Sequence, residues 1–383
     1  MKKILFITMY YYPEIDSSQP FLSEIKRELI SRGHDVTTVV PNPVRDLSKN
    51  IILQYAHKEL ENTENGKIIR LYVNKNSSNS IFQRALRFVI FQIELKKFLK
   101  KNIRNYDLIY FMSNPPIFVP LLVERMCHKN NKEMIYEIDD IFPEITGKYK
   151  FLEHFAHKAI KNCSHIITLS EDMRKQISKW SSTSNIEVVS IWPPAKKFSR
   201  NDLLWAQDYY KKDKFNISYI GNIGHFQNID ILLNVAKKLQ NITGIQFLLA
   251  GFGRNLKNIL KKIEKEKITN IKYIGKLSPE KALACYSLSN LNIISLNKNA
   301  INFACPSKTS MCVLANRRTL LLIDNSLYSE KMLKNKNFIL NSSYNVSDIS
   351  NTILDELTNR YKTFDYKTDF RKEIDAWIQI IES

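Results

Sequence analysis

The sequence predicts two doubly wound α/β domains, each built on a parallel sheet, and three observations lead there. The chain has 383 residues, more than one ordinary core organises and suited to two domains of about 150 to 200 residues each. Short buried runs alternate with amphipathic stretches along its whole length, the pattern of βαβ crossovers, which require parallel strands. Midway, Ile191-Trp192-Pro193-Pro194 interrupts the alternation, because two successive prolines stop regular structure. The expected segments are 1–193, 194–365 and a terminal helix over 366–383.

The elements follow in order. Residues 3–8 form a buried strand, 20–32 a helix ending at Gly33, and 35–40 a second strand, which makes one βαβ unit. Further strands are expected at 68–73, 108–112, 134–137 and 166–169. The second half repeats the scheme with strands at 216–220, 246–250, 271–274, 292–295 and 319–323. In the last helix Phe370, Ile374, Trp377, Ile378 and Ile381 recur at helical spacing and define one apolar face.

Composition narrows the function classes. With 44% hydrophobic and 25% charged residues the chain reads as a folded soluble protein. No run of eighteen uncharged apolar residues occurs, and the opening MKKILFITMYYYPE has neither the length of a membrane span nor a small-residue cleavage site, so a cytoplasmic chain is expected. The five cysteines are scattered without a CxxC pair, which argues for reduced thiols in the core rather than zinc or a disulfide framework. The net charge of +19 calls for a partner. Nucleic acid is not expected, since no helix-turn-helix, zinc-finger or RNA-binding sheet motif accompanies the lysines. An anionic membrane surface is expected, because each Lys or Arg near the lipid adds roughly 1 kcal/mol of attraction.

Residues 80–104 carry that expectation. Phe82, Leu86, Val89, Ile90 and Ile93 fall on one helical face, and Arg84, Arg87, Lys96, Lys97, Lys100, Lys101 and Arg104 outnumber a single acid, Glu94. Such a helix can lie in the headgroup layer, or its apolar face can pack on the sheet, and the two can coexist on different faces.

The chemistry falls at strand ends. Cys305-Pro306-Ser307-Lys308-Thr309 opens a helix with free backbone N–H groups, a hydroxyl and an ammonium converging on one point, an arrangement suited to phosphate. Gly221-Asn222-Ile223-Gly224-His225 and Gly251-Phe252-Gly253-Arg254 follow strands of the same half. Either glycine turn alone is weak evidence, since glycine there serves backbone geometry first. Three such features at the strand ends of one sheet point to a nucleotide diphosphate. In the first half, Glu14, Asp16 and Ser17 follow the first strand, and Asp139 and Asp140 follow 134–137. Both loops are expected at a cleft between the domains. No histidine stands at ligand spacing beside these carboxylates, so a protein-bound metal is not expected.

Taken together, YYYPEIDSSQPFLSEIKRELISRGHDVTTVVP, FMSNPPIFVPLLV, IYEIDDIFPE, IITLSEDM, YIGNIGHFQNIDILL, LLAGFGR and CPSKTSMCVLANRRTLLLID, in that order, resemble the GT-B glycosyltransferases of family 4, a retaining group, and are most similar to the branch that builds bacterial O-antigen and capsule repeat units. The resemblance spans nearly the whole chain. It implies a GT-B fold of two Rossmann-like domains facing a cleft, the first binding the acceptor and the second a nucleoside-diphosphate sugar, with the final helix crossing back to the first domain. It further implies donor contacts from Gly221, Gly224, His225, Gly251, Gly253, Arg254, Gly275, Ser307 and Lys308, and acceptor contacts from Glu14, Asp16, Ser17, Asp139 and Asp140. UDP is favoured over GDP, no cofactor or metal is required, and the acceptor is a polyprenyl-linked glycan reached from the inner face of the cell membrane.

The chain departs from this family at several positions. Asn222 and Gln227 stand where many relatives carry arginine and lysine, Met311 where many carry glutamate, and Asn316 where the family has glycine. The charge that develops on the leaving diphosphate is then expected to be met by Lys308 and its helix start, with Arg254 or His225. Asp140 is expected to orient the acceptor hydroxyl or to stabilise positive charge on the sugar, unless it only caps the turn after its strand. The same departures keep open a non-catalytic glycan-binding or partner protein, and an epimerase of nucleotide sugars is a third possibility.

Overall fold

The computed structural model describes residues 1–14, 19–44, 47–55, 59–73, 81–112, 117–147, 149–183, 185–190, 197–359, 364 and 371–383. It divides into two compact units, residues 1–194 with 303–305 and 369–383, and residues 195–302 with 306–368.

Among the described residues the first unit contains eight strands: β1 (Lys3–Ile7), β2 (Asp35–Pro41), β3 (Leu60–Thr63), β4 (Gly66–Leu71), β5 (Leu108–Met112), β6 (Glu133–Ile138), β7 (His165–Thr168) and β8 (Ile186–Val188). Their order is β3-β4-β2-β1-β5-β6-β7-β8. Every pairing is parallel except the β3–β4 hairpin. Ile4 of β1 stands opposite Val36 on one side and Leu108 on the other. The winding direction therefore reverses at β1, and in such sheets ligands gather at the carboxyl edge beside the reversal.

Both faces of this sheet are covered, which is why its central strands read as unbroken apolar runs. Side chains alternate along β1, so Leu5 and Ile7 join one core with Phe91, Leu95, Leu99, Ile109 and Phe111. Ile4 and Phe6 join another with Leu22, Ile25, Leu29, Leu108 and Tyr110. The helix Arg371–Glu382 completes this second layer through Trp377, Ile378 and Ile381, all buried. Trp377 meets the Phe21 ring edge-on at 5.5 Å and lies 6.1 Å from Tyr110. Glu382 anchors the helix by accepting from Arg32 Nη1 at 3.1 Å and pairing with His34 at 3.2 Å. Phe370, counted with this apolar face in the sequence, lies outside the described residues.

The helix Ile81–Asn102 is apolar on two sides. Phe91, Leu95 and Leu99 are buried against the sheet, whereas Leu86, Val89 and Ile93, members of the stripe that periodicity singles out, point outward. Phe91, Leu95 and Leu99 follow a spacing of four that turns their bulk onto β1 and β5, so the stripe starting at Leu86 is left facing solvent.

In the second unit the strands are β9 (Phe215–Ile220), β10 (Ile245–Ala250), β11 (Ile271–Tyr273), β12 (Leu291–Ser295), β13 (Thr319–Leu322) and β14 (Phe338–Leu340). Their order is β11-β10-β9-β12-β13-β14, parallel throughout. The reversal falls at β9, and Ile217, Phe247, Leu249, Ile293 and Leu320 join Leu232 and Ile353 of the covering helices in its core. The five cysteines are free thiols, four of them buried. No helix among the described residues is long and apolar enough to cross a membrane.

Because Trp377 fills the centre of the layer over β1 and β5, Trp377→Ala leaves a large cavity there. The variant is expected to lose about 3–5 kcal/mol of stability in chemical denaturation. A loss below about 1 kcal/mol would show that the terminal helix is not integral to this unit.

Candidate functional site

At the carboxyl edge of the second sheet, two strand-end loops press against each other. Gly221 follows β9 with φ of +137°, and Gly251 follows β10 with φ of +129°. A Cβ at Gly251 would stand 1.8 Å from the Gly221 carbonyl oxygen, and one at Gly253 would stand 2.3 Å from the Ile223 carbonyl oxygen. Neither gap admits a side chain. The loops are then sewn together: Gly221 N donates to Ala250 O at 2.9 Å, Ile223 N to Phe252 O at 2.7 Å, and Gly251 N to Gly275 O at 2.8 Å. The glycines thus permit backbone to approach backbone, and the N–H groups of Gly221 and Gly251, expected at a diphosphate, bind neighbouring strands.

Lys308 crosses this junction. It is the first residue of the helix Lys308–Ala315, and its Cε passes so close to Gly221 that a Cβ there would lie 2.2 Å away. Its ammonium donates to the Tyr219 hydroxyl and sits 3.8 Å from the centroid of the Tyr219 ring. Tyr219 Oη in turn donates to Asn222 O at 2.7 Å. Loss of hydration pushes the Lys308 ammonium down to about 7. Ser307 precedes it, exposed, and its hydroxyl caps no N–H of its own helix.

His225 and Arg254 are exposed on the same edge, after β9 and β10. Positions 222 and 227 are occupied with local work. Gln227 Oε1 accepts from Gly224 N at 3.1 Å. Asn222 lies against Gly224 and Gly253, 2.6 Å from where a Gly253 Cβ would be. Gln227 thus braces its own loop, and the exposed Asn222 stands where that loop meets the one after β10. Gly275 has φ of +90° with open space where its Cβ would stand.

In the first unit the expected residues separate. Asp139 and Asp140 follow β6, Asp139 half-buried and Asp140 exposed. Asp140 forms an isolated antiparallel bridge with Ala304, and Ile141 N donates to Phe303 O at 2.7 Å. The segment 303–305, which belongs to this unit, thereby fixes the acidic turn. Glu14, expected beside the acceptor, is buried instead: its Oε1 accepts from Val44 N at 2.8 Å and Arg87 Nη2 at 3.1 Å. It ties the loop after β1 to the helix Ile81–Asn102. Asp16 and Ser17 lie outside the described residues.

The first unit also buries two charges that the sequence did not single out, Glu137 and Lys26. Glu137 is fully buried on β6 and accepts from Tyr110 Oη at 2.6 Å. Lys26, also buried, lies over the Phe6 ring at 5.0 Å and the Tyr11 ring at 4.6 Å. Burial pushes its ammonium down to about 7, against the opposing pull of Glu137. The available signal was Lys26 standing on the apolar stripe of Leu22, Ile25 and Leu29, where an ordinary surface lysine has no place. Glu144, four residues after Asp140, pairs with His157 at 2.5 Å, and the Trp180 ring stacks on that imidazole at 4.0 Å. Among the described residues no group of three or more His, Cys, Asp or Glu could hold a metal ion.

Two doubly wound parallel sheets with reversals at β1 and β9 define the GT-B fold. Residues 20–193 match the family model described as Glycosyltransferase Family 4. Sucrose-phosphate synthase from Thermosynechococcus elongatus has the same fold, with a TM-score of 0.74 and 12% identity over 100% of this chain and 97% of that one. HepE from Anabaena, solved in complex with UDP-glucose, superposes with a TM-score of 0.68 and 13% identity over 100% and 94%. WaaG, a glycosyltransferase involved in lipopolysaccharide biosynthesis, gives 0.64 and 12% over 98% and 93%. No curated protein matches the chain by sequence. The family model covers residues of the first unit, and at 12–13% identity the likeness to these structures is one of fold.

The backbone contact at the loop junction has a direct consequence for stability. Gly251→Ala is expected to cost on the order of 2–4 kcal/mol, because a backbone carbonyl cannot yield as a side chain would. Gly275→Ala, strained in φ but unobstructed, should cost about 1 kcal/mol. Equal losses in thermal unfolding would refute the steric account of Gly251.

Proposed function

We propose that the protein is a retaining glycosyltransferase that moves a sugar from a nucleoside-diphosphate sugar to a polyprenyl-diphosphate-linked oligosaccharide in bacterial surface polysaccharide assembly. Lys308 carries the reading. A desolvated ammonium at a helix start, beside an exposed serine hydroxyl, suits a diphosphate better than any other ligand class. The UDP and UDP-glucose complexes of HepE, a protein of the same fold, favour UDP as the nucleotide.

In this scheme the bond between the sugar anomeric carbon and the diphosphate oxygen breaks, and the electron pair leaves with UDP. Lys308, the helix N-terminus and exposed Arg254 or His225 stabilise the charge that develops there. The acceptor hydroxyl attacks the face the diphosphate vacates, and its proton passes to a leaving phosphate oxygen. Asp140 orients that hydroxyl or balances positive charge on the sugar, and the buried Glu137 holds the strand end that carries it. No step requires a protein-bound metal, so turnover should survive EDTA. The uncharged Asn222 and Gln227, with Gln227 bonded within its own loop, favour a second reading as a non-catalytic glycan-binding protein. Release of UDP that depends on acceptor separates the two, and product formation without acceptor would mark an epimerase.

The Lys308 ammonium makes donor binding dependent on pH. Its pKa in the free protein is near 7 and rises when a diphosphate binds, so binding above pH 7 takes up a proton. UDP affinity should fall between pH 7 and 9, by at most about tenfold per unit. Lys308→Arg, charged throughout, should flatten the slope, and Lys308→Ala should weaken binding by about 1.5–3 kcal/mol. Calorimetry that shows a pH-independent affinity for the parent would remove Lys308 from the site.

Asp140→Asn should lower turnover by about 100-fold or more while UDP affinity stays within about twofold of the parent. Loss of UDP binding in this variant would make Asp140 a donor or structural residue, and parental turnover would end its catalytic assignment.

A further inference from the structure

One face of the first unit exposes apolar side chains from three successive helical segments. Leu86, Val89 and Ile93 stand outward on the helix Ile81–Asn102, with Val89 52% exposed. Gln92, between the last two, donates from Nε2 to the Phe118 carbonyl at 3.4 Å. Phe118 opens the helix Phe118–Lys129, and its exposed ring lies 5.7 Å from that of Phe155 on the helix Glu153–Lys161. Tyr149 and Phe151 extend the surface through a short 3-10 turn, their rings 6.5 Å apart and Phe151 72% exposed. Singly exposed apolar residues are ordinary, but a contiguous set of seven is a docking surface.

Topology places this surface. All three helical segments follow strands of a parallel sheet, β4, β5 and β6, so their first turns emerge at its carboxyl edge. Asp139 and Asp140 emerge at the same edge, after β6. Charge selects the occupant. Lys96, Lys97, Lys100 and Lys101 continue the outward side of the first helix, Lys150 precedes Phe151, and Lys158 follows Phe155 by one turn, all six exposed. On the first helix the one acid, Glu94, is paired with Lys97 at 2.7 Å. Aromatic and aliphatic groups bordered by lysine, on a chain of net charge +19, fit an anionic lipid surface. A second copy of the chain would bring like charges together.

We infer that Leu86, Val89, Ile93, Phe118, Tyr149, Phe151 and Phe155 insert into an anionic bilayer, with the lysines in the headgroup layer, so that the Asp139–Asp140 turn meets lipid-borne acceptors at the membrane. The role of the acceptor rests on the transferase reading, whereas the insertion does not.

Flotation with vesicles of phosphatidylcholine and phosphatidylglycerol, against phosphatidylcholine alone, tests the surface. The parent should bind the mixed vesicles, and the quadruple variant Val89→Ser, Ile93→Ser, Phe151→Ser, Phe155→Ser should bind them about tenfold less or worse. Lys96, Lys97, Lys100 and Lys101 replaced by Gln should remove most of the salt dependence. Unchanged UDP binding and melting temperature establish that both variants are folded. In a separate variant, Phe151→Trp, emission should shift to the blue on addition of mixed vesicles and be quenched by brominated acyl chains. Vesicle binding without sugar transfer would leave the surface standing and defeat the transferase reading. Transfer to a soluble acceptor without vesicle binding would do the reverse. Parental flotation of the serine variant, an unshifted Phe151→Trp spectrum, or a dimer in light scattering that the serine variant dissolves would each overturn the insertion.

Discussion

The second unit depends on a contact between two peptide groups that no side chain can separate. The Gly221 carbonyl occupies the place where a Cβ at position 251 would stand, at 1.8 Å. Because β9 and β10 are parallel neighbours with matched register from Phe215–Ile245 to Ile220–Ala250, their loops must leave the sheet side by side. Only residues without Cβ, at φ of +137° and +129°, let them do so. Lys308 then finds a trough over Gly221, and desolvation there lowers its proton affinity. The lowered proton affinity of Lys308 is therefore a consequence of how it packs.

The first unit obtains its acidic edge differently, by burying charge. Lys26 and Glu137 are buried in this unit, Glu137 bonded to Tyr110 two residues before Asp139, while Glu14 and Arg87 lock the loop after β1 to a neighbouring helix. Buried ionic groups contribute little net stability, since desolvation offsets most of their attraction. They do penalise any arrangement in which a partner is missing, which confers geometric definition on this edge.

Charge on the outside has a separate logic. The helix Ile81–Asn102 buries Phe91, Leu95 and Leu99 in the sheet and still carries Leu86, Val89 and Ile93 outward. An amphipathic helix needs one apolar stripe to fold onto a sheet. A second stripe adds nothing to that core, and with lysines continuing it the surplus points to a surface beyond the protein.

Fold class and most strand positions were legible because parallel strands buried on both faces are written as apolar runs: 108–112 coincides with β5 to the residue. The elements that escaped were β3, β8 and β14, of four, three and three residues, edge strands whose pairing comes from a neighbour rather than from their own pattern. In the site, Lys308, Ser307, the glycine turns and the Asp139–Asp140 turn could be named from residue type and spacing. What each does with its atoms could not. That Glu14 is buried against Arg87, 73 positions away, that Lys26 is buried over the Phe6 and Tyr11 rings, and that Gly251 faces the Gly221 carbonyl are facts of nonlocal packing. Which segments become strands and helices, and which chemical groups lie at their ends, can be read from local order, because periodicity and turn chemistry are local. Which of those groups are desolvated, engaged or exposed depends on the folded chain, because dielectric surroundings and hydrogen-bond partners come from residues far apart in sequence.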